Sequence, residues 1–480
     1  MRRKEMMHKK TICFPGKDML GFSIIFLSML IAAPFSAEAS GGSFWGKIFP
    51  FWKREKVEEV QSSRLSLQDA LRFALRNNLL TRLALEQINE SKGQRLQIVS
   101  DLLPHVEAGI SENRVGRMNL AAMGFKNQPL VGPFDTFDAR FKLTQKVFDL
   151  SAFSRFQAGN AAVKVKQYEE EFARQKVILE ASLAYLTVLQ NQGEFQAAEA
   201  NLELAGRLLQ QAEHQHEVEI ATGVDVARAT TKKVEEKFFL EQVQLMLTES
   251  FLQLQRVTGL PYEDKLCLSD SLSYLEETEI SVDEAIRIAE SDRLEMRILN
   301  DKIRAQNYLL RAAKAEVLPK AELSGDYGLS GNGPRRDDRA TGEIMIGASI
   351  PLFEGGRIWG TIKAEASRKR QLEREMEDLK RQIEEDVRLA LMKIKTGRQQ
   401  VRTARSILDL ARRELKMAQD RFSEGLGDNV EVVGAQTTLA RARDTYVMAL
   451  TQYHIARLNL FFALGQAGSF YLQNADQKKE

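Results

Sequence analysis

Two rhythms alternate along this 480-residue chain, one helical and one with a period of two. The run that opens Leu65-Ser66-Leu67-Gln68-Asp69-Ala70-Leu71-Arg72 carries apolar groups at helical spacing, and Ser66 with an acid three residues on is a capping-box start. It predicts a helix that ends at Leu103-Pro104, because proline supplies no amide to continue it. Beyond the proline, Val106, Ala108 and Ile110 alternate with His105, Glu107, Gly109 and Ser111. Phe137, Ala139, Phe141 and Leu143 then alternate with Asp138, Arg140, Lys142 and Thr144, so strands are predicted over 105–113 and 136–146. A very long helix over 151–218, a turn at Ala221-Thr222-Gly223 and a return helix over 225–258 complete the pattern.

The pattern is then written a second time. Ile280-Ser281-Val282-Asp283-Glu284-Ala285-Ile286-Arg287 and Leu318-Pro319 repeat the opening run and its proline at an offset of 215. Val147-Phe148-Asp149 matches Leu352-Phe353-Glu354 at 205, and Val224-Asp225-Val226 matches Val430-Glu431-Val432 at 206, so the first copy holds about ten extra residues between its strands, the size of a surface-loop insertion. The first repeat covers 62–259, a linker 260–279, the second repeat 280–465 and a polar tail 466–480. In the second copy strands are predicted over 321–329 and 343–351, a long helix over 357–423 and a return helix over 430–464. The fold class is mainly α with a β-barrel part: two tandem repeats of helix, strand, strand, long helix, helix.

A helix over 357–423 would be about 100 Å long at 1.5 Å per residue, and it needs a partner of that length. Its heptads are graded by size. Val387, Ile394, Val401, Leu408, Leu415 and Phe422 form a large seam, and Ala390, Gly397, Ala404, Ala411 and Ala418 a small one. Subtracting 206 gives a small seam at Ala184, Asn191, Ala198, Ala205 and Ala212 and a large one at Val188, Phe195, Leu202 and Leu209. Such seams pack as coiled coils, and the small row admits a neighbouring helix closely, as in a wall of helices.

Charge and targeting narrow the class. The 68 basic and 66 acidic residues nearly cancel, which leaves no footprint for nucleic acid. Residues 1–39 carry a basic start, an apolar stretch from Met19 to Ala33 and Ala37-Glu38-Ala39, and read as a cleaved signal peptide. Residues 40–61 hold Phe44, Trp45, Phe49, Phe51 and Trp52, either an interfacial anchor or a cover for exposed core. Cys13 leaves with the signal and Cys267 is expected to be inert filling, so no disulfide is expected. Strands of ten residues with one apolar face suit a barrel between lipid and a wet interior, although the pattern alone also fits a half-buried sheet.

No phosphate loop, nucleophile elbow or metal-ligand spacing is present, so no enzyme, cofactor or metal site is predicted. His214 and His216 are two apart on a helix and point away from each other. The candidate residues lie at the two turns, where Asp225 and Glu431 stand in the first turn of each return helix. Plain capping against the helix dipole accounts for an acid there; a ring of carboxylates around a pore mouth is the functional alternative. The tips Thr222, Gly223, Gly425, Leu426 and Gly427 expose backbone for close approach by a partner.

The Leu-Ser-Leu-Gln-Asp-Ala-Leu opening, Leu-Leu-Pro before a strand, Pro351-Leu352-Phe353-Glu354-Gly355-Gly356-Arg357 and the turn from Arg421-Phe422-Ser423-Glu424-Gly425 to Val430-Glu431-Val432 resemble the TolC-like outer-membrane efflux proteins. The resemblance runs over about 62–466 and implies a homotrimer whose twelve strands close one barrel in outer-membrane lipid, continued by a helical tunnel across the periplasm. It implies a passive exit duct of a tripartite efflux or type I secretion system. The partners would be a periplasmic adaptor (membrane fusion protein) and an inner-membrane efflux pump or ABC exporter. It also implies that Asp225 and Glu431 constrict the periplasmic mouth and that the tips contact the adaptor. The chain departs from the family's latch of tyrosine, arginine and aspartate, since Phe422, Gly427 and Gly434 stand at those positions. A periplasmic coiled-coil structural or adaptor protein is the alternative, and it leaves the paired strands without a purpose.

Overall fold

The computed structural model describes residues 64–119, 130–219, 221–262, 266–275, 280–334, 337–424, 426 and 429–468. The signal and aromatic segments before residue 64, and the tail after 468, lie outside the described residues. The first repeat runs from β1 (Arg64–Leu65) through α1 (Leu67–Asn77), α2 (Leu79–Ser100), β2 (His105–Val115), β3 (Met118–Asn119), β4 (Leu130–Val131) and β5 (Phe134–Phe148) to α3 (Leu150–Glu217) and α4 (Gly223–Thr258). After β6 (Cys267–Leu268) the second repeat holds α5 (Val282–Asp292), α6 (Leu294–Ala315), β7 (Lys320–Gly331), β8 (Arg339–Ser349), α7 (Arg357–Ser423) and α8 (Asn429–Ala463).

The opening helix of each repeat, expected as one piece, is two. Asn78 (φ −63°, ψ 138°) and Arg293 (φ −63°, ψ 125°) are each extended between helices of 11 and 22 residues. The reason is tertiary. Gly259, at φ +70°, caps α4 and lies so close to Asn77 that a Cβ there would come within 2.6 Å of it; Gly465, at φ +75°, would meet the Asp292 backbone at 2.8 Å. Asn78 caps α2 through the Leu80 amide at 2.9 Å and donates to the Val257 carbonyl at 3.1 Å, so the break is where the end of the return helix is received. In the second copy Gln466 donates to Asp292 at 2.8 Å and Arg293 pairs with Asp386 at 2.9 Å.

The four long strands form one antiparallel sheet in the order β2-β5-β7-β8. Val106 faces Leu143, Ala108 faces Phe141, Phe141 faces Tyr327, Gly325 faces Ile344 and Leu323 faces Ile346, so one side of the sheet is apolar across all four strands. The other side is polar, with Glu107 opposite Lys142, Lys142 opposite Asp326 and Asp326 opposite Glu343. There Arg140 reaches Asp138 and Asp326, each at 2.7 Å. β2 and β8 remain as open edges. The extra residues of the first copy begin and end in the small β3–β4 ribbon.

Toward the turns the helices neighbour one another in the order α4-α3-α8-α7, and nearer the sheet in the order α2-α3-α6-α7. The linker, read from sequence as irregular, is tied down. β6 pairs in parallel with β1, Tyr185 donates to Asp270 at 2.8 Å and Tyr453 donates to the Leu275 carbonyl at 2.7 Å. Cys267 is exposed on β6 rather than filling the core.

Candidate functional site

Both seams of α7 are buried within the chain. Val387, Ile394, Val401, Leu408, Leu415 and Phe422 pack against α8 together with Ala390, Ala404, Ala411 and Ala418. Gly397 lies against Tyr453, with space for a Cβ at 3.5 Å. On α3, Ala184, Ala198, Ala205 and Ala212 are buried as well, with Val188 and Leu209 beside them. The small rows therefore work inside the chain, between helices of the same and of adjoining hairpins.

At the first turn, the Thr222 amide and hydroxyl donate to the Asp225 carboxylate at 3.0 and 2.6 Å. Arg228 stands 3.5 Å from the same group. The Thr222 hydrogen bonds, and then Arg228, hold the Asp225 carboxyl below its ordinary range, so its charge persists into mild acid. Thr222 and Gly223 complete the tip. His216 meets the Ala221 carbonyl at 2.9 Å and His214 lies 3.6 Å from Glu217, each within its own turn.

The second turn is built differently. Glu431 lies 3.6 Å from Arg421, which also donates to the Leu426 carbonyl at 3.4 Å, so here the acid faces a guanidinium. Leu426 is exposed; Gly425 and Gly427 lie outside the described residues. Phe422 has no hydroxyl to offer across a mouth and packs with Val432 in the hairpin core, while Gly434 lies in α8. Asp225 and Glu431 belong to separate hairpins.

Sequence reading missed a set of polar groups where α3, α4 and α8 meet. Arg443 donates to Asn201, Lys232 pairs with Glu236 at 2.8 Å, and the Asp444 carboxyl is pushed up to about 6 by burial and by Glu194 and Glu236. Nearer the sheet, His454 meets the Ser273 carbonyl at 2.8 Å and is pushed down to about 4 by burial and by Arg457. These residues sit far apart in sequence, and only their polarity at seam-adjacent positions could have pointed to them. Among the described residues no group of acids, histidines and cysteines is placed to hold a metal.

The family model described as outer membrane efflux protein matches residues 285–466, the second repeat. Over 422 residues the chain is 24% identical to outer membrane protein TolC of Salmonella enteritidis, covering 85% of this chain and 81% of that protein. It is 22% identical over 342 residues to the alkaline protease secretion protein AprF of Pseudomonas aeruginosa, covering 69% and 70%. Its fold is that of the CmeC outer membrane channel of Campylobacter jejuni, with a TM-score of 0.75 at 19% identity over 84% of this chain and 86% of that one. The match of the second repeat, the similarity that spans both repeats and the shared fold make this chain similar to the TolC-like outer membrane efflux proteins along both of its repeats.

Proposed function

We propose that the chain is one protomer of a trimeric outer-membrane exit duct that carries cargo passively from an inner-membrane pump and its periplasmic adaptor to the exterior. One observation carries this reading: a four-stranded sheet with one apolar and one polar face, open at both edges, continues into two helical hairpins of about 100 Å. Lipid tolerates no open sheet edge, so β2 and β8 call for further copies of the chain, and the apolar face then meets the bilayer while the polar face lines water. Three copies supply twelve strands. The duct stands in the outer membrane with its hairpins in the periplasm, and it catalyses no reaction.

The free sides of the helical layer support the same assembly. On α4, Val224, Phe238, Leu245 and Leu252 recur with Thr231 at seven-residue spacing and are exposed; on α7, Leu389, Leu410 and Met417 do so with Thr396 and Thr403. Two unpartnered heptad seams of equal length on opposite sides fit a ring of copies. In that ring Asp225 and Glu431 recur around the periplasmic mouth as its constriction, and the tips Thr222, Gly223, Gly425, Leu426 and Gly427 receive the adaptor.

The TolC relatives and CmeC bear the names of outer-membrane proteins, and AprF is named for protease secretion; small-molecule efflux and protein export remain equal readings of the cargo. Purified protein in a planar bilayer is expected to give discrete current steps with cation preference. Glu431→Ala leaves Arg421 without its carboxylate at the mouth, and cation preference is expected to fall or conductance to rise. No current from the wild type removes the duct; unchanged selectivity and conductance in the variant remove the mouth assignment.

A further inference from the structure

Where the strands hand over to the helices, a notch of about 380 Å³ opens between α3 and α6. Leu150, Phe153, Tyr308 and Leu318 wall it, and Arg311 and Lys314 stand at its lip. Leu150 begins α3 two residues after β5 ends, and Leu318 lies two residues before β7 begins, so the notch is level with the end of the sheet. Leu150, Phe153 and Leu318 are 41, 48 and 38% exposed, so large apolar groups face water here.

Helical geometry fixes the direction in which the notch opens. At 100° per residue, Leu150, Phe153, Ser154 and Gln157 occupy one arc of α3, and Arg155 lies about 150° from its middle. On α6, Glu316 lies about 140° from the middle of the arc holding Tyr308, Arg311, Lys314 and Ala315. Arg155 and Glu316 meet at 4.0 Å, Glu316 also holds Arg357 at 2.8 Å, and Arg155 lines a hollow with Lys146, Glu322 and Ser324 beside the polar face of the sheet. The notch therefore opens away from the polar side. Within the helical layer α3 and α6 are inner members, so neighbouring copies, which meet at the outer members α2 and α7, do not cover it.

Its charge is distinctive. Arg155, Arg304 and Arg357 nearby each have an acidic partner. In the ion pairs found among the described residues, Arg311 and Lys314 have none, and the Arg311 guanidinium lies 5.6 Å from the Tyr308 ring. Two cations three residues apart share a face of α6 above an apolar trough. We propose that this notch binds an anionic phospholipid of the periplasmic leaflet, with the headgroup phosphate between Arg311 and Lys314 and the start of an acyl chain between Phe153, Tyr308 and Leu318. The proposal rests on the reading that the sheet stands in a bilayer, and it explains the exposed Leu150, Phe153 and Leu318 at the sheet's end as surface that lipid covers.

Native mass spectrometry of the full-length protein released from detergent, after titration with phosphatidylglycerol or phosphatidylcholine, tests it. Phosphatidylglycerol is expected to be retained in preference to phosphatidylcholine. The double variant R311A/K314A is expected to retain roughly tenfold less, having lost two charge-assisted contacts to phosphate. Phe153→Ser is expected to weaken retention with the cations intact. A control pair on α7, R381A/R388A, leaves retention unchanged if the notch is the site. Equal retention in R311A/K314A overturns the proposal, and so does complete displacement of the lipid by millimolar inorganic phosphate, which would make the notch a free-anion site. Bilayer currents recorded on the same preparations separate the two readings: retained lipid without current defeats the duct, and current without selective lipid retention defeats the notch.

Discussion

Asp444 carries an electrostatic cost in the fold. Its carboxyl lies between three helices, faces Glu194 and Glu236, and has Arg443 beside it as the opposing charge. Because its folded value of about 6 is above the ordinary 3.8, the fold disfavours the ionised form. The cost grows as pH rises from about 4 to about 6 and is fully present above that. Asp444→Asn keeps the shape and removes the charge. It should stabilise the protein at pH 7.5 by about 1 kcal/mol, reduced from the roughly 3 kcal/mol of a fully buried group because the site is half-exposed. Denaturation midpoints of variant and wild type should converge near pH 4.5; a constant gap across pH would show that the carboxyl does not titrate in this range. Nothing local in the sequence marks Asp444, since its environment is made by residues about 200 and 250 positions away.

At the scale of elements, the seams were legible because they depend only on spacing and size. Every large and small position of α7 from Val387 to Phe422 lies in the buried stripe, and the period-two runs pair in a register that keeps their apolar residues on one side. The breaks at Asn78 and Arg293 were not legible. Each lies in an uninterrupted helical period, and each is imposed by a glycine that arrives from more than 150 residues away, Gly259 on Asn77 and Gly465 on Asp292. The turns were legible as turns, whereas the cap around Asp225 and the Arg421 contact of Glu431 required side-chain geometry. The seam makes a sharp prediction. Gly397 has ordinary van der Waals room for a methyl group against Tyr453, so Gly397→Ala should be neutral or stabilise by up to about 1 kcal/mol through helix propensity. Gly397→Leu should destabilise by about 1–3 kcal/mol through overpacking. Denaturant midpoints of the two variants, read by far-ultraviolet circular dichroism, check both; equal midpoints would mean that α7 and α8 are not in close contact there.

For the whole molecule, a single chain leaves two kinds of boundary unsatisfied at once, the sheet edges β2 and β8 and the apolar seams of α4 and α7. Either kind alone would have simpler remedies: a sheet edge is blunted by charge, and an exposed apolar helix face can bind any amphipathic partner. Both are met together if copies stand side by side, so that β8 of one pairs with β2 of the next while α7 of one packs on α4 of the next. The seams suit that contact, because α7 runs toward the turns and α4 runs away from them, and Phe238 and Leu245 can lie among the smaller Thr396 and Thr403. If the helical contact contributes to closure, F238D/L245D should leave each hairpin folded yet weaken the ring. In mild detergent, light scattering after gel filtration should then report monomers, whereas the proposed assembly predicts trimers for the wild type. Lys233 and Lys237 lie exposed on α4 outside the seam, and K233D/K237D should keep the trimer. A trimer that survives F238D/L245D would show that the barrel strands alone hold the copies together and that the helical seams meet some other partner.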